Sequence, residues 1–267
     1  MTPRLLLFDL DGTLLGPTRR VSEENARALQ RAMDRGIRVG FATGRSLQSV
    51  RPWIEELNPT GPLLLFNGGM VWDVVTERPL LTRLLPRADA LAALEVVAEL
   101  GVHANLYLGE DIAIARRSET SQTSEAKDGV PHTVVGDLVT HLERQAEDPF
   151  KILCIDESGG IDALADCLRP VLSCGSVLVN SEPTYLEVLP PGVSKGAALS
   201  VVEEHTGISP DQVIAFGDGL NDIGLLQSSG LGVAMENAHP RLRACADLVV
   251  GSHETNAIAT LLAERLR

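Results

Sequence analysis

The stretch Leu5-Leu6-Leu7-Phe8-Asp9-Leu10-Asp11-Gly12-Thr13 decides how the fold is read. Its four opening apolar residues contain no breaker and suit a strand buried on both faces, as in the middle of a parallel sheet. Asp9 and Asp11 follow where that strand ends, and Gly12 supplies a turn. In a continuous strand, residues two apart share one face. With the backbone turning at Gly12, both carboxylates can instead approach a site beyond the strand's carboxyl end, where a cation can hold them together. An Asp-Gly turn after a strand is also common without any function, so the rest of the chain has to choose between the readings.

Other apolar segments end in the same way. Residues 37–42 run into Thr43-Gly44-Arg45-Ser46, residues 63–66 into Asn67-Gly68, and residues 213–216 into Gly217-Asp218-Gly219-Leu220-Asn221-Asp222. Val193-Ser194-Lys195-Gly196 precedes an amphipathic segment at 197–204. In an open parallel α/β sheet the crevice beyond the carboxyl ends of the strands takes the ligand, so these distant segments can meet there. Singly, each has an ordinary explanation: Thr43 as a helix cap, Lys195 as a solvent-facing residue, Asp218 and Asp222 as turn and first-turn acids. Their joint placement carries the catalytic reading.

In this order the segments resemble the four motifs of the haloacid dehalogenase-like hydrolase superfamily, specifically its Cof-type branch (subfamily IIB) of magnesium-dependent phosphatases. The resemblance continues through residues 189–199, Ala234-Met235-Glu236-Asn237-Ala238 and Ala246-Asp247, and so covers nearly the whole chain. It implies Asp9 as nucleophile, Asp11 as general acid and base, Thr43 as a ligand of the transferring phosphoryl group, and Lys195 as its stabiliser. It further implies Mg2+ held by Asp9, the backbone carbonyl of Asp11 and Asp218, with Asn221 and Asp222 completing or orienting the shell. Thr43, Gly44, Arg45, Asn67, Lys195 and Asn221 are the implied substrate-binding residues. Arg45 can bind phosphate or form an ion pair, and Asn67 can position phosphate or a loop. One departure stands out: after Val249-Val250 the family commonly has an Asn-rich, acidic loop, whereas this chain reads Gly251-Ser252-His253-Glu254-Thr255-Asn256-Ala257-Ile258.

The implied reaction is Mg-dependent hydrolysis of a small-metabolite phosphate monoester, a sugar phosphate or phosphorylated cofactor, through a phosphoaspartyl intermediate. Such an ester resists attack because its own oxygens repel an anionic nucleophile; a divalent cation and Lys195 would meet that charge. Asp11 would protonate the leaving alkoxide and then take a proton from water. A phosphosugar mutase would use the same intermediate, and a noncatalytic phosphometabolite-binding protein the same pocket, although binding alone needs no nucleophile paired with a proton donor. A Rossmann oxidoreductase is disfavoured, because Asp9 and Asp11 stand where its glycine-rich loop belongs.

Composition sets outer limits. The 267 residues, 44% of them hydrophobic, can bury a substantial core. With 36 Asp plus Glu against 23 Lys plus Arg, the net charge of -13 argues against nucleic-acid or anionic-membrane partners; the small phosphorylated metabolite that the resemblance implies as partner is compatible with it. A local cation and Lys195 can reverse that field within the site. Cys154, Cys167, Cys174 and Cys245 form no CxxC pair and read as thiols. The chain opens directly on the first strand, without a basic leader and apolar h-region, and no apolar run reaches transmembrane length; the expectation is a soluble cytoplasmic enzyme of unassigned oligomeric state.

The expected fold class is α/β, a three-layer Rossmann-like parallel-sheet core with an inserted α+β cap domain of type C2. Residues 1–82 and 189–267 are assigned to a discontinuous core and 83–188 to the cap, which is expected to close over the metal site. A continuous α/β domain with an elaborate crossover is the alternative. Ser22 is a candidate N-cap for a helix at 21–34, while 118–129 reads as polar and poorly patterned.

Overall fold

A computed structural model describes residues 2–266. The first strand, β1 (Leu5–Phe8), is buried along its whole length, as an unbroken apolar run requires. Burying each such side chain contributes about 1.5–3 kcal/mol. The chain continues through α1 (Glu23–Asp34), β2 (Arg38–Ala42), α2 (Leu47–Leu57) and β3 (Leu63–Leu65). Ser22 caps α1, its hydroxyl accepting the Asn25 N–H at 3.2 Å. A hairpin of β4 (Met70–Asp73) and β5 (Arg78–Thr82) follows, a pair the sequence reading does not anticipate.

The second compact unit comprises Leu47–Ser49 and Arg83–Val193. Its elements are α3 (Arg87–Leu100), β6 (His103–Leu108), β7 (Asp111–Ile114), α4 (Glu119–Asp128), β8 (His132–Val134), α5 (Leu138–Glu143), β9 (Lys151–Ile155), α6 (Ile161–Leu168), β10 (Val177–Glu182) and β11 (Tyr185–Leu189). The sheet runs β10-β11-β9-β6-β7-β8, antiparallel except for β7 with β8. Leu94, Val97, Leu142, Leu164 and Leu168 from its helices pack on Leu106, Ile152, Cys154, Leu186 and Val188 from its strands.

Two expectations are corrected in this unit. The unit ends at Val193 rather than at 188, because Leu189 is still a strand residue paired with Val177. The segment read as unpatterned contains α4: Ser118 and Ser121 form a reciprocal capping box and Gly129 ends the helix in the left-handed region. The periodicity was invisible because α4 buries small polar residues, Ser121 and Ser124, instead of an apolar stripe.

The first unit, Met1–Ser46, Val50–Thr82 and Ser194–Arg267, resumes with α7 (Leu199–Thr206), β12 (Val213–Gly217), α8 (Ile223–Ser228), β13 (Leu231–Met235), α9 (Pro240–Cys245), β14 (Leu248–Val250) and α10 (Ala257–Arg265). Its sheet runs β14-β13-β12-β1-β2-β3-β4-β5, parallel from β14 to β3 and antiparallel in the final hairpin. Strand order advances one way from β1 to β3 and the other way from β12 to β14. Right-handed crossovers therefore place α1 and α2 on one face and α8 and α9 on the other. Leu5, Leu7, Val213 and Ala215 pack with Leu199, Val202, Leu225, Leu226 and Leu242 on that second face. The stacked Phe8 and Phe216 rings, centroids 4.6 Å apart, seal the junction of β1 and β12, the point at which strand order reverses.

Candidate active site

Every site residue expected from sequence lies in the first unit, at or just beyond the carboxyl ends of β12, β1, β2 and β3 or at the entry to α7. Asp9 follows β1 and is 7% exposed; its backbone N–H donates to Phe216 O at 2.9 Å, which continues the ladder one residue past the strand. Lys195, fully buried, donates from Nζ to Asp9 Oδ1 and to Asp222 Oδ1, both at 2.6 Å. Asp222 accepts the Asp218 and Gly219 N–H groups on Oδ2 at 3.0 and 2.9 Å. One carboxylate thus ties the lysine to the loop after β12. Gly217 is obligatory there, since a Cβ would lie 2.5 Å from the Asp222 Cβ and Cγ.

One carboxylate oxygen from each of Asp9, Asp218 and Asp222 lies within 4.8 Å of the other two. Burial pushes Asp9 well above the usual carboxylate range: Lys195 pulls it down, but repulsion from Asp222 and Asp218 adds to the burial. Burial and then the Asp222 charge push Asp218 up to about 7. Lys195 shows the complement. Burial opposes its charge, yet Asp222 and Asp9 overcome this and raise it. One ammonium among three carboxylates leaves excess negative charge, and the donors are hard oxygens. This donor set fits Mg2+. Asp222, expected among the ligands, lies in this cluster and also accepts from Lys195 and the two amides.

Asp11 points to a different partner. Arg45 grips it with a two-pronged pair, Nε to Oδ2 at 2.6 Å and Nη2 to Oδ1 at 2.7 Å. Thr43, buried directly after β2, accepts the Arg45 N–H on Oγ1 at 3.2 Å, and its backbone is held between Leu64 O and the Asn67 N–H. Gly44 forms the partly buried link between them.

After β3 the chain makes a tight turn with Phe66, Asn67 and Gly68 at φ 50°, 57° and 94°. Non-glycine residues in the left-handed region store strain that concentrates at functional sites. Asn67 Oδ1 accepts from Asn221 Nδ2 at 2.9 Å, leaving the buried Asn67 Nδ2 as a donor with no partner among the described residues. A phosphoryl oxygen is the kind of acceptor such a donor lacks.

The sequence model of the haloacid dehalogenase-like hydrolase family matches residues 6–262. The chain belongs to that family. Among proteins it resembles, this hydrolase is 29% identical to the pyridoxal phosphate phosphatase YbhA of Escherichia coli strain K12 over 100% of both chains. It is 32% identical to an HMP-PP phosphatase of Cronobacter sakazakii over 90% of its own length and 87% of the relative's. A haloacid dehalogenase-like hydrolase of Bacteroides thetaiotaomicron shares its fold over 100% of both chains, with a TM-score of 0.89 and 27% identity.

Within this hydrolase the Cof-type resemblance and the α/β fold class with its parallel-sheet core hold as expected from sequence. Three contributing residues were not anticipated. Thr13 Oγ1 donates to Asp218 Oδ1 at 3.0 Å; its signal was its place directly after the Asp-Gly turn. Asn237 Nδ2 donates to Gly12 O at 2.8 Å while its Oδ1 accepts the His253 N–H at 3.0 Å, so the departing loop braces the first motif. Trp53 lies under the Arg45 guanidinium, 5.1 Å from ring centroid to Cζ, with no sequence signal for the contact. In the second unit, Asn105 donates to Ser124 at 2.8 Å, Tyr107 to Asp128 at 3.0 Å, and Lys127 pairs with Glu182 and covers the Tyr185 ring. Among the described residues no helix is long and apolar enough to cross a membrane, and all four cysteines are free thiols.

Proposed function

We propose that this hydrolase is a Mg-dependent phosphatase that cleaves the phosphate monoester of a small metabolite through a phosphoaspartyl intermediate on Asp9. The observation that carries the reading is the bridge of Lys195 between Asp9 and Asp222, both at 2.6 Å, inside a buried cluster that also contains Asp218. A buried cation fixed on one oxygen of Asp9 aligns the other for attack and stabilises charge developing on a transferred phosphoryl group. The relatives named for pyridoxal phosphate and HMP-PP support a phosphorylated small molecule, a sugar phosphate or phosphorylated cofactor, as substrate.

Asp9, Asp218 and the Asp11 carbonyl would hold Mg2+, with Asn221 and Asp222 completing or orienting the shell. When bound, the ion neutralises phosphate oxygens and the excess carboxylate charge. Asp9 forms the new P–O bond as the ester oxygen departs with the proton of Asp11. Water then attacks phosphorus and gives its proton to Asp11, which releases phosphate and restores Asp9. Thr43 and the side-chain Nδ2 of Asn67 would bind nonbridging oxygens. We assign selection of the leaving group to the second unit.

The test is phosphate release from a panel of sugar, polyol and cofactor phosphates with Mg2+ or EDTA, followed by rapid quench and peptide mapping. Mg-dependent turnover with label on Asp9 is expected, and Asp9→Asn should abolish it. Labelling elsewhere, or no turnover by folded, Mg-loaded protein, overturns the proposal; transfer of the label to a second sugar marks a mutase.

A further inference from the structure

We infer that Asn237 is a positioning residue for the cation site, holding the turn at Gly12 against Asp218 and tying it to the 252–256 loop in which this chain departs from its family; this rests on the phosphatase reading above. Asn237 lies in the turn between β13 and α9, and its side chain works entirely on other segments. Its Nδ2 donates to Gly12 O at 2.8 Å and its Oδ1 accepts the His253 N–H at 3.0 Å. Just beyond it in the same turn, the backbone N–H of His239 donates to Asp218 O at 2.8 Å. One short segment therefore grips the loop after β1 and the loop after β12, each by a backbone carbonyl.

The segment is itself fixed. Ala238 is buried and donates its N–H to Met235 O at 3.0 Å, and the His239 ring accepts the Arg241 N–H at 3.1 Å at the start of α9. The two gripped loops leave no slack between them. Gly12 adopts φ 79°, and a Cβ there would lie 2.4 Å from Asp218 Oδ2, so the turn packs directly on that carboxylate. Thr13 adds a hydrogen bond from Oγ1 to Asp218 Oδ1 at 3.0 Å. The Asp11 and Gly12 carbonyls belong to successive rigid peptide planes that are hinged at the Gly12 Cα. With the turn pressed on Asp218 and the Gly12 carbonyl held by Asn237, Gly12 loses the rotation a glycine otherwise has. The plane of the preceding peptide is set with it, and that peptide carries the Asp11 carbonyl, the backbone oxygen that the phosphatase reading gives to Mg2+. Asn237 touches none of the groups assigned to the ion. It sets the spacing between two of them.

Mg2+ is small and exacting about geometry, whereas Ca2+ accepts longer bonds and irregular shells, so a loosened spacing should cost the smaller ion more. The test is calorimetric titration of Mg2+ and of Ca2+ into substrate-free wild type, Asn237→Ala and Asn237→Asp. Asn237 is exposed, so neither change opens the core. In Asn237→Ala the Kd for Mg2+ should rise about fivefold, the size of one lost hydrogen bond. The Kd for Ca2+ should rise less, so that selectivity for Mg2+ falls. Asn237→Asp keeps an acceptor for the His253 N–H and sets a carboxylate oxygen against Gly12 O. A negative charge added near a cation site would tighten binding on charge alone. Positioning demands the opposite sign, a Kd for Mg2+ at least as high as in Asn237→Ala. Hydrogen exchange at the His253 amide reads the loop contact without metal, and should quicken in Asn237→Ala and not in Asn237→Asp. Unchanged Mg2+ binding in Asn237→Ala, equal losses for both ions, tighter binding by Asn237→Asp, or a His253 amide indifferent to Asn237→Ala overturns the inference. If wild type binds no Mg2+, the phosphatase reading fails; if it binds the ion and the variants match it, the role of Asn237 alone fails.

Discussion

The ammonium of Lys195 and the carboxylate of Asp9 meet at 2.6 Å although their residues come from segments on opposite sides of the inserted unit. Lys195 has no exposed surface, so its charge is balanced only by what the fold places beside it. Lys195→Met keeps most of the volume and leaves Asp9 and Asp222 facing each other. The expected cost is about 3–5 kcal/mol of stability in the metal-free protein, read by urea unfolding, together with loss of phosphate release. Adding Asp222→Asn should return part of that stability and none of the activity. A double variant no more stable than Lys195→Met would contradict this account.

Asp218 carries a conflict between stability and function. It is pushed up to about 7 by burial and by Asp222, so in metal-free protein at neutral pH its charge is a burden. Asp218→Asn retains an oxygen to accept the Thr13 hydroxyl and removes that charge. Without metal the variant should be more stable than wild type, by about 1 kcal/mol for each pKa unit of relief. Mg2+ should stabilise wild type by on the order of 2.7 kcal/mol at a hundredfold excess over Kd, raising its melting temperature, and barely move the variant. Calorimetry with and without the ion checks both signs.

In the second unit, Asp89 ties the first turn of α3 to the segment before β10. It is fully buried and accepts the Cys174 N–H at 3.0 and 3.2 Å and the Ser176 N–H at 3.4 Å. Burial alone would raise its pKa, but the hydrogen bonds from Ser176 and Cys174 outweigh it and hold the pKa below its ordinary value. A lowered folded-state value contributes stability above the unfolded value near about pH 4, and that contribution is lost as the pH falls through the folded one. Asp89→Ala should cost about 1–3 kcal/mol near neutrality and flatten the acid limb of stability against pH. An unchanged limb below about pH 4 would refute the assignment.

Gly68 is required twice over. Its φ is 94°, and a Cβ would sit 2.5 Å from the O of Ser194, the residue before Lys195. Gly68→Ala should destabilise by about 2 kcal/mol or more and shift Lys195, lowering turnover beyond what the lost stability explains. Thermal unfolding and kinetics measured well below the midpoint separate the two effects.

Much of this was legible in the chain because it is local. An apolar run ending in Asp-x-Asp-Gly states both a buried strand and the place where its acids emerge, and parallel topology brings such ends to one crevice. Burial of β1, the Ser22 cap and the membership of Asp9, Lys195, Asp218 and Asp222 in one cluster required no more than that. What stayed hidden depends on direction. Sequence names Arg45 but cannot aim it: its guanidinium pairs with Asp11 and lies over a tryptophan eight positions along the chain. The hold on Asp222 comes from two amides of the loop after β12, and Asp222 packs there against Gly217, where a Cβ would collide with it. Helix α4 escaped notice because serines fill the buried positions where a period is sought. Residue type and strand order thus settled which groups gather, while orientation, set by packing between segments far apart in sequence, decided which group each one holds.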